Sequence, residues 1–338
     1  MYLPRHLAIP LHRVVGAGES VVLAGPRGAG KTTLARREFP GHLYLTLEER
    51  ALREAARQDP VGFLGRLRRP AIVDEAQRAP GLFAALEGAK FPLVLVSSLR
   101  VQSPRRVLEL YPPSRAELQR RNPLPFSVLG RFEVKEVSGN ALEGWPWSMA
   151  YWEKDLPGLI RLADRDLFER YVELVGARSA EVLNQLEVAR ELGVSHRTVV
   201  RWQQVLDVCF QTLTIPAAGE AYGRRLIRAP KLHALWRRDC FESKVVFELY
   251  RNARHAGLDV GMEYWRDSNG LEIPLLLRVE DGTKVPIGIA ENPAPGWEER
   301  LTRWLALSGE ASGALIAQRR PIVRGRNAGW VRYSFQQL

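Results

Sequence analysis

Cysteine, histidine and lysine are all scarce in this chain of 338 residues, and the first two shortages each argue against a class of protein. The 2 cysteines, Cys209 and Cys240, stand apart without C-x-x-C spacing, and the 6 histidines are scattered. Neither a disulfide framework nor a structural zinc site is suggested, and two buried thiols are expected. No apolar run approaches the roughly 20 residues that span a bilayer. The opening MYLPRHLAIPLHRVV also lacks the continuous apolar stretch of a signal peptide. The expectation is a cytoplasmic protein with no membrane partner.

What is abundant is arginine, and it is unevenly placed. The net charge is +11, from 49 basic and 38 acidic residues, and residues 1–131 hold 21 of the basic and 11 of the acidic ones. Almost the whole excess therefore lies in the first part of the chain. Two readings stay open: a surface that attracts nucleic acid, or arginine standing where lysine would on solvated faces. The length favours two or three domains.

Within that basic part, Val21 to Thr33 reads VVLAGPRGAGKTT. An apolar run leads into Gly25, Pro26, Arg27, Gly28, Ala29, Gly30, Lys31, Thr32 and Thr33, which fits the G-x-x-x-x-G-K-[ST] phosphate-binding pattern. Consecutive backbone N–H groups can wrap a phosphate chain only where side chains do not intrude, hence the glycines. Lys31 brings a positive charge to the phosphates, Thr32 offers a hydroxyl to Mg²⁺, and the helix opening there turns its positive end toward the anion. No Asn-Lys-x-Asp guanine-reading element occurs, so ATP is favoured over GTP.

Further on, LYLTL at 43–47 predicts a strand, 48–58 and 61–67 predict short helices with Phe63, Leu64 and Leu67 on one face, and PAIVDE at 70–75 predicts a buried strand ending in two carboxylates. A phosphate-transferring site needs one acid at a neighbouring strand tip to hold the magnesium shell and another to orient or deprotonate water. Asp74 suits the first role and Glu75 the second. FPLVLV at 91–96 predicts another strand, ending in Ser97 and Ser98, and Val107 to Leu110 one more, stopped by Pro112 and Pro113.

The series GPRGAGKTTLAR, LYLTLEE, DPVGFL, VDEAQRAPGLFAAL, VLVSS and ELYPPSRAEL, with YWEKDL and NQLEVARELGVSHRTVVRWQQVL later on, resembles the prokaryotic AAA-superfamily P-loop ATPases with a carboxy-terminal domain of unknown function. That resemblance implies an ATPase fold first and a restriction-endonuclease-like fold last. It also implies that a polar residue at the end of the 91–96 strand meets the γ-phosphate or the attacking water, and Ser98 takes that place, with Ser97 beside it. The segment SLRVQSPRR is shorter than its counterpart in the family and lacks a Leu-Ala-Gly-Arg element, so Arg105 and Arg106 are not assigned as an arginine finger.

A linker is expected at 136–150. Beyond it, Leu159, Ile160, Leu162, Ala163, Leu167, Tyr171 and Leu174 are spaced for an amphipathic helical stripe. Residues 186–206 carry a helix-turn-helix pattern, with Leu186, Ala189 and Leu192 on a first helix, Gly193 at the turn, Ser195 as cap, and Val199, Trp202 and Leu206 on a second. In a DNA reader His196, Arg197 and Arg201 would face the bases; otherwise the pair packs as a hairpin or meets a protein partner. The tail predicts a helix at 242–256 and strands at 260–265, 271–279, 285–290, 314–318 and 330–335. A metal nuclease needs an aspartate on one strand and an acid and lysine on the next. Glu272-Ile273-Pro274 and Ile287-Gly288-Ile289-Ala290 supply none of these at the positions the resemblance implies. Glu242, Glu248, Glu272 and Glu291 are expected on a solvated face.

The expected fold is α/β: an AAA-like P-loop domain with a parallel sheet over 1–135, a winged-helix-like domain over 151–236, and a degenerate nuclease-like α/β domain over 237–338. The expected function is Mg-dependent hydrolysis of ATP coupled to DNA, a protein partner or a second copy of the chain, with no nuclease activity. The alternative is a nucleotide-gated binding module without productive turnover.

Overall fold

The structure, a computed structural model, describes residues 2–120, 165–237, 239–278, 282–291, 296–310, 312–318 and 330–334. They divide into two compact units. The first comprises residues 2–120 with Val208–Phe210 and Arg251–Leu258, and the second comprises the remainder. The expected linker at 136–150 and the stripe positions Leu159, Ile160, Leu162 and Ala163 lie outside the described residues.

In the first unit the short apolar runs become strands β1 (Val21–Ala24), β2 (Leu43–Thr46), β3 (Ala71–Asp74), β4 (Leu93–Ser97) and β5 (Val107–Glu109). Strands β1, β3 and β4 are buried along their whole length, as strands of a parallel sheet covered on both faces must be. The sheet order is β2-β3-β4-β1-β5, and every pairing is parallel. Strand β4 is thus inserted between the strand that feeds the Gly-rich loop and the strand that ends in Asp74.

The opening stretch, notable in the sequence for what it lacks, is a helix, α1 (Ala8–Gly16). Leu7, Leu11, Val14 and Val15 fall on one helical face and enter a core shared with Val21 and Leu23 of β1 and Leu34 and Ala35 of α2 (Lys31–Glu38). Helices α3 (Arg50–Gln58), α4 (Pro60–Gly65), α5 (Gly81–Ala85) and α6 (Arg115–Leu118) complete the described part of this unit up to residue 120. Helix α4 starts where it does because Asp59 accepts the Gly62 N–H at 2.8 Å and Pro60 occupies the first turn.

The second unit begins with α7 (Arg165–Ala177), β6 (Glu181–Val182), α8 (Gln185–Leu192), α9 (His196–Val208), β7 (Thr212–Ile215) and β8 (Lys231–Ala234). The strands form an antiparallel sheet in the order β6-β8-β7. Two expectations need correction. The buried face of α7 is Phe168, Tyr171, Val172 and Val175, while Leu167 and Leu174 are only half-buried. The rings of Phe168 and Tyr171 sit 5.7 and 5.5 Å from that of Trp202, and this aromatic packing sets the rotation of the helix. Leu186 is 54 % exposed, and Val188, Ala189 and Leu192 are the residues α8 buries. Gly193, at φ +68°, ends α8, and Ser195 Oγ accepts the Thr198 N–H at 3.1 Å to open α9.

The chain continues through α10 (Phe241–His255), β9 (Gly261–Arg266), β10 (Glu272–Arg278), β11 (Lys284–Ala290), α11 (Gly296–Ser308), β12 (Gly313–Ala317) and β13 (Trp330–Ser334). These five strands form a mixed sheet in the order β13-β12-β11-β10-β9, parallel from β11 to β13 and antiparallel from β9 to β11. The β9–β10 register shifts between Ile273 and Leu276, where Pro274 has no N–H to give to the ladder. Leu301 and Trp304 of α11 pack in one core with Trp265, Ile273 and Leu315.

The tail glutamates are not simply a solvated face. Lys231 Nζ, 3 % exposed at its side chain, donates to Glu242 at 2.6 Å and also to Glu272, while Glu248 is fully buried; Glu291 is exposed as expected. The sequence pattern sought a lysine on the strand next to the acid. Here one arrives from β8, which only the fold brings near. Of the two thiols, Cys209 is buried as expected and Cys240 is half-buried.

Candidate nucleotide-binding site

The Gly-rich loop leaves β1 at Gly25, whose N–H donates to Ser97 O at 3.1 Å. A Cβ at Gly25 would stand 2.0 Å from Leu110 O, so no other residue fits against the β5 end. The loop closes at Gly30, in the left-handed region at φ +91°, and α2 starts at Lys31. The backbone there reverses in a conformation L side chains resist. Pro26 and Ala29 are buried, Arg27 is half-buried, and Gly28 and Thr33 are exposed. Lys31 is 7 % exposed and its ammonium donates to Pro26 O at 2.7 Å, holding the charge over its own loop.

Folding brings Thr32 and Asp74 together: the Thr32 hydroxyl donates to Asp74 Oδ2 at 2.8 Å. Asp74 ends β3, 6 % exposed, with Oδ1 accepting the Glu75 N–H at 2.9 Å. A hydroxyl and a carboxylate are hard oxygen donors of the kind that suit a magnesium ion retaining several waters. Among the described residues no group of three or more His, Cys, Asp and Glu gathers as a protein-only metal cage. Tyr44, on β2, also donates to Asp74 Oδ2, at 2.9 Å. Burial and then the Asp74 carboxylate push the Tyr44 hydroxyl up to about 12, so it stays a donor.

Glu75 follows with φ +56° and ψ +36°, a left-handed conformation that is uncommon for a residue with a side chain. Both of its oxygens face the Arg27 guanidinium, at 3.4 and 3.3 Å, and Arg78 lies 3.5 Å away. Gln77 Nε2 donates to Glu75 Oε2 and to Ser98 Oγ, each at 2.7 Å, and Gln77 Oε1 accepts the Ser98 N–H at 3.2 Å. Ser98, fully inside the fold, is therefore linked to Glu75 through Gln77. Ser97 turns its hydroxyl to Leu99 O at 2.7 Å instead.

The sequence singles out the loop, both acids and Ser98, and leaves out Tyr44, Gln77 and the Arg27 ion pair, which the structure sets beside them. Gln77 had a readable signal, since Asp74-Glu75-Ala76-Gln77 sets an amide two residues beyond the second acid. Tyr44 had none, being hidden in a run that reads simply as strand. His196, Arg197 and Arg201 are exposed on α9. Arg105 donates to Glu87 O at 3.2 Å and Arg106 to Gly257 O at 3.0 Å.

Residues 148–235 match a family described as a domain of unknown function, DUF8612. No curated protein matches the chain. Among the described residues no helix is long and apolar enough to cross a membrane. Residues 17–91, which carry the loop, both acids and Gln77, match the family described as an AAA domain. That match, the five-stranded parallel sheet and the Gly-rich loop together support a nucleotide-binding domain of the AAA ATPase type in the amino-terminal part of the chain.

Proposed function

We propose that the chain is a cytoplasmic, magnesium-dependent ATPase whose turnover is coupled to DNA, a protein partner or a second copy of itself. The observation that carries this reading is the 2.8 Å contact between Thr32 and Asp74, which joins the loop hydroxyl to an acid 42 residues away. Thr32 and Asp74 would hold Mg²⁺, and the ion when bound neutralises charge on the phosphate oxygens. The backbone N–H groups from Gly25 to Thr33 bind the phosphates, and Lys31 leaves Pro26 O to stabilise charge on the transferred group. Glu75 takes the proton of the attacking water, and Ser98 with Gln77 orients Glu75 and that water. Phosphate release from ATP is expected in magnesium and absent when the ion is chelated; release unaffected by chelation would overturn the metal assignment.

The alternative, a nucleotide-gated module without productive turnover, is favoured by one feature: Glu75 is held by Arg27 and Arg78, so its carboxylate must be freed before it can act as a base.

The proposed division is 1–135, a linker over 136–150, a winged-helix-like domain over 151–236 and a nuclease-like domain over 237–338. The succession α7-β6-α8-α9-β7-β8 with its three-stranded sheet supports the second domain. The connection from β7 to β8 is engaged within its own unit, since Ile227 N–H donates to Arg266 O at 3.0 Å and Arg228 to Ala218 O at 3.1 Å. DNA contact is accordingly assigned to α9 alone, through His196, Arg197 and Arg201. Retention on duplex DNA should fall steeply as salt rises and weaken in Arg197→Ala with Arg201→Ala. A protein not retained even at low salt would exclude that partner.

Two features support a last domain that cuts nothing. A Cβ at Gly288 would stand 2.9 Å from Leu315 Cδ1 and 3.1 Å from Leu301 Cδ1, so an acid at that strand position would have to push both leucine side chains aside. Glu242 and Glu272 are both already paired with Lys231, an internal cation.

A further inference from the structure

Arg5 lies outside every motif of the sequence, yet it is 8 % exposed and makes three contacts within the first unit. Nη1 donates to Ala29 O at 2.8 Å, Nη2 to Tyr111 O at 2.5 Å, and Nε to Glu117 Oε1 at 3.2 Å. One guanidinium thus ties the phosphate loop to the end of β5 and to α6.

Glu117 is itself rigidly held. It forms a reciprocal cap with Ser114, accepting the Ser114 N–H at 2.8 Å, and also accepts the His6 N–H at 2.8 Å. Against the cost of burial, His255 and Arg5 hold its carboxyl well below the usual range. His255, with no exposure, accepts the Tyr111 N–H on Nε2 at 3.0 Å, so its proton resides on Nδ1, which lies 3.0 Å from Glu117 Oε2. Burial lowers the imidazole to about 4 and keeps it neutral.

The consequence for the loop follows from peptide geometry. In a trans peptide the C=O and the next N–H point in opposite directions, and the described chain has no cis peptide. Fixing Ala29 C=O on Arg5 therefore aims the Gly30 N–H away from Arg5. A free loop could rotate this peptide. Pinning it removes that alternative before a ligand arrives, which is how preorganisation raises affinity.

We propose that Arg5 is a positioning residue of the phosphate loop, held in place by Glu117 and His255, and that it aims the Gly30 N–H at the nucleotide phosphates. This rests on the ATPase reading above. The test is titration of the full chain with a non-hydrolysable ATP analogue in magnesium, comparing wild type, Arg5→Ala, Arg5→Lys and Lys31→Ala as the blank. Arg5→Ala is expected to bind about 10- to 100-fold more weakly, the range of a lost charged hydrogen bond. Guanidinium ion well below denaturing concentration should recover part of the loss, with sodium chloride as the ionic control, a response that a merely destabilised fold would not give. Arg5→Lys keeps the charge without the planar fork, and about 10-fold weaker binding is expected, unimproved by guanidinium. A folded Arg5→Ala with wild-type affinity, or with a loss that guanidinium leaves untouched, overturns the proposal. Should that variant not fold, wild-type affinity in Arg5→Lys overturns it. Wild-type protein that binds no more than the Lys31→Ala blank would instead overturn the nucleotide reading itself.

Discussion

Lys31→Ala is expected to lose nucleotide binding by about 100-fold or more while the domain stays folded, because two distinct contributions disappear together. The first is a charge-assisted contact to the phosphates from an ammonium that is 7 % exposed, where little water screens it. The second is local: the ammonium donates to Pro26 O at 2.7 Å, so the side chain also braces the loop in which it sits. The fold should survive, since the loop backbone is set mainly by Gly25 against Leu110 and by Gly30, neither of which the substitution touches. Calorimetric titration with Mg-ATP, beside a thermal melt without nucleotide, separates the two contributions. Unchanged affinity would mean that phosphate does not bind on this loop.

Glu75→Gln is expected to keep nucleotide affinity within a few-fold and to lower turnover by about 100- to 10,000-fold, the span attributed to a positioned general base. The amide keeps the shape and can still accept from Gln77, but it cannot take a proton. It also ends the ion pair with Arg27, which spans 48 residues and joins the loop to the end of β3. That pairing occupies both carboxylate oxygens until Arg27 turns elsewhere, and the phosphates are the obvious competitor for a guanidinium on the same loop. Single-turnover phosphate release alongside binding distinguishes the roles. A wild-type rate in Glu75→Gln would move the base elsewhere.

These expectations rest on contacts of very different visibility. The loop is legible because its chemistry is local: glycines, a lysine and a hydroxyl within a few residues, next to a strand and a helix whose periodicity is also local. The same holds for Asp74 and Glu75 at a strand end, and for the turn at Gly193. The tail strands were placed within a residue or two because apolar runs bounded by polar turns read directly as strands. Where a helix face was misjudged, as at Leu186 and Leu174, the spacing was right but neighbouring apolar residues competed for the core. On the helix of Leu174 the aromatic rings around Trp202 settled the competition.

Contacts formed by chain closure left no comparable trace. Arg5 meets Glu117 across 112 residues, and the Tyr111 N–H meets His255 across 144. Lys231 reaches Glu272 from a strand 41 residues earlier. A buried charge is stable only where a partner is delivered to it, and the partner's identity is unconstrained by local pattern. The same is true of Tyr44, which reads as strand filler until β2 is set beside β3 and its hydroxyl reaches Asp74.

By itself, then, the amino-acid order determined the chemical types at the candidate site: a Gly-rich loop with a lysine and a hydroxyl, two acids, and a tail lacking a nuclease's residues at the implied strand positions. Tertiary structure alone decided how they are arranged. It inserted β4 between β1 and β3, brought Ser98 through Gln77 to Glu75, and anchored the loop carbonyl on Arg5. The reason is physical. Local sequence sets dihedral preference and periodicity, whereas strand order and buried ion pairs are chosen by the packing of the whole domain.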